Sequence, residues 1–233
     1  MSYLWDFGIV LRYVPLLVEG VLVTLAFTFG TIFIGLVLGL VIGMARMSRL
    51  WIVETPLVLF VELFRCTPPL VQLVWFYYAL PVILGIQIPG PMAATLVLSF
   101  YVSSFYSEIF RGGIQSVEKG QWEAARGLGL RYWPLMYKVI LPQAIRRMIP
   151  PFMNQSVIQL KTTSLVSTIA VPDLLYNGSL ITAETYRPLE IYTVIAVVYF
   201  VLLFPATRVA QWCERRLQSE RVSEGRRRAT AQA

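Results

Sequence analysis

Residues Val21 to Met44 carry no charged side chain. About 24 residues at the helical rise cover roughly 36 Å, enough to cross a bilayer with some tilt. Within hydrocarbon every backbone N–H and C=O must be bonded internally, so a stretch of this kind is held to a helix. The remainder of the chain is consistent with that setting. Hydrophobic residues make up 57% of the 233 positions and charged residues 14%, too apolar a balance for a soluble domain.

Further spans follow from charge placement. Arg46 and Arg49 directly after the first span mark that end as cytoplasmic by the positive-inside rule. From Trp51 to Leu84 the chain is apolar for longer than one span needs, and Glu62, Arg65 and Pro68-Pro69 interrupt it. One crossing, kinked near Pro68, returns the basic loop Arg111 to Lys138 to the cytoplasm after a third span, Pro91 to Phe110. The fourth span is expected from about Pro151 to Val171, and the fifth from Leu189 to Ala206 with a bend at Pro205. The result is an all-α membrane protein of about five transmembrane helices, N-terminus outside and C-terminus cytoplasmic. It reads as one transmembrane domain over residues 1–217 with a basic, disordered cytoplasmic tail over 218–233. The first span is expected to stay as an anchor, since no signal-peptide pattern precedes it. Asp173, Glu184 and Arg187 are expected to be solvated on an outer loop.

Several chemistries are excluded or disfavoured. The chain has no histidine and two cysteines without CxxC spacing, so neither a zinc site nor a disulfide framework is indicated. The net charge of +7 clusters in internal loops and the tail, which fits membrane orientation better than nucleic acid. No Gly-x4-Gly-Lys-Ser/Thr loop is present, so ATP and Mg, if used, sit on another polypeptide. No GxSxG elbow or cofactor motif points to an enzyme.

On the first span Thr24, Thr28, Thr31, Gly35 and Gly39 share a face, and Gly35, Gly39 and Gly43 allow another helix to approach closely. A packing face inside the subunit is favoured over a dimer contact. The fourth span is too polar for lipid exposure: Asn154, Gln155, Ser156, Gln159, Lys161, Thr162, Thr163 and Ser164 must face a bundle or a wet cavity. Lys161, midway along, is placed either in a structural salt bridge with Glu62 or Glu108, or on a pathway for a zwitterionic or anionic solute. Candidate pathway residues are Asn154, Gln159, Lys161, Thr162, Thr163 and Ser164, joined by Ser103 and Ser107 of the stripe Ser99, Ser103, Ser107, for which helix–helix hydrogen bonding is the equal alternative. Glu62 and Arg65, three apart, are expected to pair, and with Glu108 form a candidate intramembrane ion pair or gate.

The segment Glu123 to Pro142 is a polar insert between apolar spans. Gly120 starts and Gly127 and Gly129 end a helix too short to be stable alone, so it must dock on a partner. Its residues Glu123-Ala124-Ala125, then Gly129, then Leu141-Pro142, resemble the EAA loop of ABC import permeases, with Val139 where the family usually has Ile. Tyr106 to Ser116, Lys161-Thr162-Thr163-Ser164-Leu165 and Glu62 to Pro68 resemble the branch for polar amino acid uptake, over roughly residues 15 to 217. The resemblance implies a type I importer permease fold with a cytoplasmic EAA-type coupling helix, in which Glu123, Ala124, Ala125 and Gly129 meet the ATPase. It further implies a second permease protomer, identical or paralogous, an extracytoplasmic solute-binding protein, and the bacterial inner membrane. No cofactor is expected on this chain. Relatives handling cationic amino acids often carry Asp where Thr162 stands, so glutamate, aspartate or glutamine is favoured. The rival reading is an ion-coupled secondary transporter with Glu62, Glu108 and Lys161 as a relay.

Overall fold

The computed structural model describes residues 4–48 and 50–231, with side chains through residue 217. Among these residues every regular element is helical. A single turn, α1 (Gly8–Arg12), leads into α2 (Val14–Ala45), whose Pro15 lies in the first turn, where a missing N–H costs nothing. α3 (Trp51–Cys66) and α4 (Pro69–Leu84) are divided by the extended residues Thr67 and Pro68. α5 (Gly90–Gln115) is followed by the short α6 (Lys119–Gly127). A turn at Tyr132–Leu135 and a π-helical stretch, Met136–Ile140, enter α7 (Leu141–Thr162), which tightens to a 3₁₀ helix over Thr163–Ile169. α8 (Leu174–Thr185) and α9 (Pro188–Ala231) complete the chain.

The π-helical stretches have a local cause. Trp75–Ala79 precedes Leu80-Pro81, and Met136–Ile140 precedes Leu141-Pro142. A proline ring crowds the carbonyl four residues before it, and widening the turn to π relieves that contact.

Three helices are long and apolar enough to cross a membrane: Val14–Ala45, Gly90–Gln115 and Pro188–Leu217. The pair Trp51–Cys66 and Pro69–Leu84 is a fourth if its limbs form one span, but they bend by 109°. The kink expected at Pro68 is therefore a sharp break. The 16 residues of α3 reach only about 24 Å, short of the hydrocarbon thickness. The expected fourth span, Pro151 to Val171, is shifted: its helix begins at Leu141 and leaves α geometry at Thr163. Its polar composition keeps it outside the apolar standard that the other three meet. The boundary placed at residue 217 has no backbone break, α9 continuing to Ala231. Arg49, the side chains of 218–231 and residues 232–233 lie outside the described residues.

α2 packs along α5 through the small-residue stripe. Leu17, Gly20, Thr24, Thr28, Thr31, Gly35, Gly39 and Gly43 are its buried positions. A Cβ on Gly39 would sit 2.6 Å from Tyr106 Cβ and 3.0 Å from the Ser103 carbonyl, and one on Gly43 would sit 2.9 Å from the Ser107 carbonyl. The glycines thus set the α2–α5 spacing, and the stripe is a packing face inside the subunit. Three apolar clusters lie along the bundle. One gathers Leu17, Leu174, Ile181 and Ile191; another Leu73, Val97, Leu98 and Val166; a third Ile114, Ala125, Ile140, Ala144 and Met148.

The expected solvation of Asp173 is overturned. It is fully buried and caps α8, accepting from the Tyr176 N–H at 2.8 Å, with the Tyr199 hydroxyl 3.4 Å from its other oxygen. Burial pushes its carboxyl up to about 6 against the capping hydrogen bonds. Arg187 donates to Glu190 at 3.1 Å and to the Leu4 carbonyl, pinning the start of the chain to α9. Glu184 accepts a hydrogen bond from Tyr13, which raises that phenol's pKa.

Candidate functional site

Two regions concentrate the residues singled out in the sequence. The first is α6. Its Ala125 is buried in the cluster with Ile114, Leu135 and Ile140, while Glu123, Ala124, Arg126 and Gly127 are exposed. Ala125 is therefore the residue that seats α6 on its own subunit, which corrects the expectation that it faces a partner. Gly129 has φ +74°, the left-handed region that costs a residue with a Cβ. Its N–H bonds the Arg126 carbonyl, and the Leu130 N–H bonds the Ala125 carbonyl, which ends the helix in a Schellman turn. The fixed glycine of the motif is a turn residue. Leu128, passed over in the sequence, is 81% exposed on that turn. A further tie holds α6 to α7, Gln143 approaching Gln121 at 3.3 Å, while the Arg147 guanidinium donates to the Ser116 carbonyl at the end of α5.

The second region is α7, whose polar residues divide between two faces. Asn154, Ile158 and Lys161, spaced four and three apart, are exposed. Gln155, Gln159 and Thr163 are buried on the other side. Gln159 donates to Thr31 at 2.9 Å, and Thr163 lies 3.2 Å from Thr28, so both are locked against α2. Ser103 and Ser107 are also fully buried in the α2–α5 seam, bonding the carbonyls of Phe100 and Ser104 on their own helix. In this structure these four side chains pack within the subunit and do not line an open path. Thr162 and Ser164 remain half-buried and satisfy their hydroxyls on the carbonyls of Ile158 and Lys161.

A groove of about 500 Å³ opens between α3, α5 and α7, lined by Arg65, Phe105, Glu108, Arg147, Asn154 and Gln155 among others. Its charges are mostly committed. Glu108 is bonded by Arg46 and, at 2.6 Å, by Arg111. Arg65 pairs with Glu62 at 3.4 Å and lies 5.6 Å from the Phe105 ring centroid. The carboxylates that might neutralise Lys161 are thus both taken by arginines, and Lys161 has no ion pair among the described residues. Both the structural salt bridge to Lys161 and the Glu62–Glu108–Lys161 relay are overturned. The Glu62–Arg65 pair stands as expected. Glu108 belongs instead to a cluster with Arg46 and Arg111.

Gln155 is the residue the sequence reading noted as polar but left out of the pathway. It is 6% exposed, lines the groove, and its amide nitrogen has no hydrogen-bond partner among the described residues. A buried unbonded donor is costly, and this nitrogen is itself closed off from the groove that the rest of the residue lines. Gln159, likewise buried, differs in bonding Thr31 and in lying outside the groove lining. Among the described residues no cluster of three His, Cys, Asp or Glu is placed to hold a metal.

Residues 35–219 match the family described as binding-protein-dependent transport system inner membrane component. The chain is 36% identical over 215 residues to the glutamine transport system permease protein GlnP of Escherichia coli (strain K12), covering 92% of this chain and 98% of that one. It is 33% identical over 218 residues to the arginine transport system permease protein ArtQ of Bacillus subtilis (strain 168), again covering 92% and 98%. A crystal structure of an amino acid ABC transporter with histidines superposes with a TM-score of 0.86 at 36% identity, over 92% of this chain and 100% of that one. An inward-facing MetNI methionine ABC transporter shares the fold at TM-score 0.69 and 22% identity, over 88% and 98%.

Proposed function

The chain belongs to the family of binding-protein-dependent transport system inner membrane components and is a permease of the ABC importer type, and we propose that it carries polar amino acids, with glutamate, aspartate and glutamine favoured. The observation that carries this reading is the groove beside α7. Its lining includes Asn154, Arg65 and Arg147. Lys161, two turns along the same exposed face of α7 and beyond the groove lining, has no ion pair among the described residues, while Glu62 and Glu108 are held by arginines. A carboxylate or amide side chain finds donors in such a place, whereas a guanidinium finds no free acid. Asn154, Gln155, Lys161, Thr162 and Ser164 are the residues of this chain assigned to the path. Uptake of labelled glutamate, glutamine and arginine by the whole assembly tests it, and uptake of arginine alone sinks the preference.

The rest of the system follows from the same premise. The sequence holds no nucleotide-binding loop, so ATP and Mg belong to separate cytoplasmic ATPase subunits, which would contact the exposed edge Glu123, Ala124, Arg126 and Leu128. A second permease protomer would cover the exposed face of α7, and a solute-binding protein would deliver at the end where α8 lies. On this reading the N-terminus is outside and the C-terminus in the cytoplasm of a bacterium. Closure of the ATPases would then push α6, and α6 would carry the seated end of α7 with it.

A further inference from the structure

The inner end of α9 bears a feature that neither transport nor coupling uses. From Pro188 to Arg208 is about 20 residues, or roughly 30 Å of helix, the thickness of the hydrocarbon core. From Ile191 to Thr207 the helix carries no charge, so Arg208 falls at the membrane boundary and Trp212 and Arg215 one and two turns beyond. At 3.6 residues per turn these three side chains lie within about 60° of one another. Thr207, Ala210 and Glu214, on the opposite side, line a cavity against Pro150 and Pro151 of α7. The basic face is therefore turned away from the bundle.

Its local chemistry is built around cations and rings. The Arg208 guanidinium lies 5.0 Å from the Phe204 ring centroid and that of Arg216 lies 4.5 Å from the Trp212 ring. Stacking of this kind holds a guanidinium at an interface. Neither Arg208 nor Arg215 has an acidic partner among the described residues. They flank, with Gln211 and Trp212, a groove of about 390 Å³. Just above it, on the lipid side, Phe200 and Phe204 are exposed, their ring centroids 5.3 Å apart.

We propose that Arg208, Trp212 and Arg215 form a site for the phosphate headgroup of an anionic phospholipid in the cytoplasmic leaflet, with its acyl chains lying along Phe204 and Phe200. The two guanidinium groups and the indole N–H supply donors to a single phosphodiester, and the depth arithmetic sets them level with headgroups. A soluble anion would use the arginines but not the apolar strip above them. The leaflet assignment rests on the proposed orientation of the C-terminus.

The test uses the complete importer in nanodiscs of phosphatidylcholine containing a minor fraction of phosphatidylglycerol, followed by native mass spectrometry of retained lipid. Wild type is expected to retain phosphatidylglycerol over phosphatidylcholine, and R208Q/R215Q to lose roughly tenfold or more of that preference. R131Q/K138Q, which removes the same charge from the α6–α7 loop, is expected to keep it. Equal retention of both lipids by wild type, or equal loss in the control, overturns the site. So does displacement of the lipid by inorganic phosphate alone. If R208Q/R215Q does not assemble, W212A reads the same loss with both charges in place. Nanodiscs expose both leaflets, so this result does not depend on orientation. A reporter fused after Ala233 reads the side separately, and an external reporter overturns the leaflet alone.

Discussion

At the scale of single residues, the sequence marked α7 as too polar for lipid but left its two faces unsorted. Helical spacing places Asn154 with Lys161 and Gln155 with Gln159, yet it does not say which set meets α2. The threonines of α2 decide, because Thr31 and Thr28 offer hydroxyls there to Gln159 and Thr163. Lys161, on the open face, is the sharper functional bet. Lys161→Gln should lower uptake by tenfold or more, the loss of one charge-assisted hydrogen bond, while size-exclusion profiles of the assembly stay unchanged. Collapse of the assembly instead would return Lys161 to a structural role. Gly39→Leu should do the reverse, destabilising the subunit by about 1–3 kcal/mol through overpacking against Tyr106, read as a lower thermal midpoint. Asp173 gives a pH signature. Its folded pKa of about 6 lies above the unfolded 3.8, so the folded state holds the proton more tightly. That contribution is complete below about pH 4 and is lost as pH rises to about 6, on the order of 3 kcal/mol at most. Asp173→Asn should flatten the stability profile across that window, and an unaltered slope would show another group to be responsible.

Among elements, long apolar helices were the most legible, since α2, α5 and α9 announce themselves by uninterrupted hydrophobicity. The break between α3 and α4 was visible at Pro68-Pro69, but not its 109° angle, which depends on how both limbs pack against α5. α6 was found through its motif, and its orientation was misjudged at one position. An alanine suits a close contact with a partner and with its own subunit equally well, and only the tertiary fold puts Ala125 inward. The outward edge then consists of Glu123, Ala124, Arg126 and the protruding Leu128. Glu123→Arg should uncouple ATP hydrolysis from uptake while leaving membrane insertion intact. Leu128→Glu should weaken binding of the ATPase subunit in a pull-down by about 1–3 kcal/mol, the range for burying one aliphatic side chain. Coupled uptake at normal rates in both variants would defeat the docking role of α6.

For the whole molecule, the order of the long helices could be read from the chain, whereas the stacking of three apolar clusters could not. Clusters arise from contacts between residues distant in sequence, and local periodicity holds no record of them. Their arrangement has a mechanical meaning for α7. Below Pro150 and Pro151 the helix is fixed by Ile140, Ala144 and Met148 in the cluster that also seats α6. Above them it is fixed to α2 by Gln159 and Thr163. The prolines lack the N–H groups that would bond the Arg146 and Arg147 carbonyls, so the helix is weakest between its anchors, directly before Asn154 and Gln155. A push on α6 should therefore bend α7 there and re-aim the groove residues. Replacing both prolines by alanine restores two backbone bonds and removes a helix penalty of about 3 kcal/mol each. The double variant should show an equal or higher thermal midpoint, unchanged ATPase binding, and severalfold less solute moved per ATP hydrolysed. Stability rising while transport falls separates a hinge from a mere packing defect, and undiminished transport per ATP would show that α7 moves as a rigid rod.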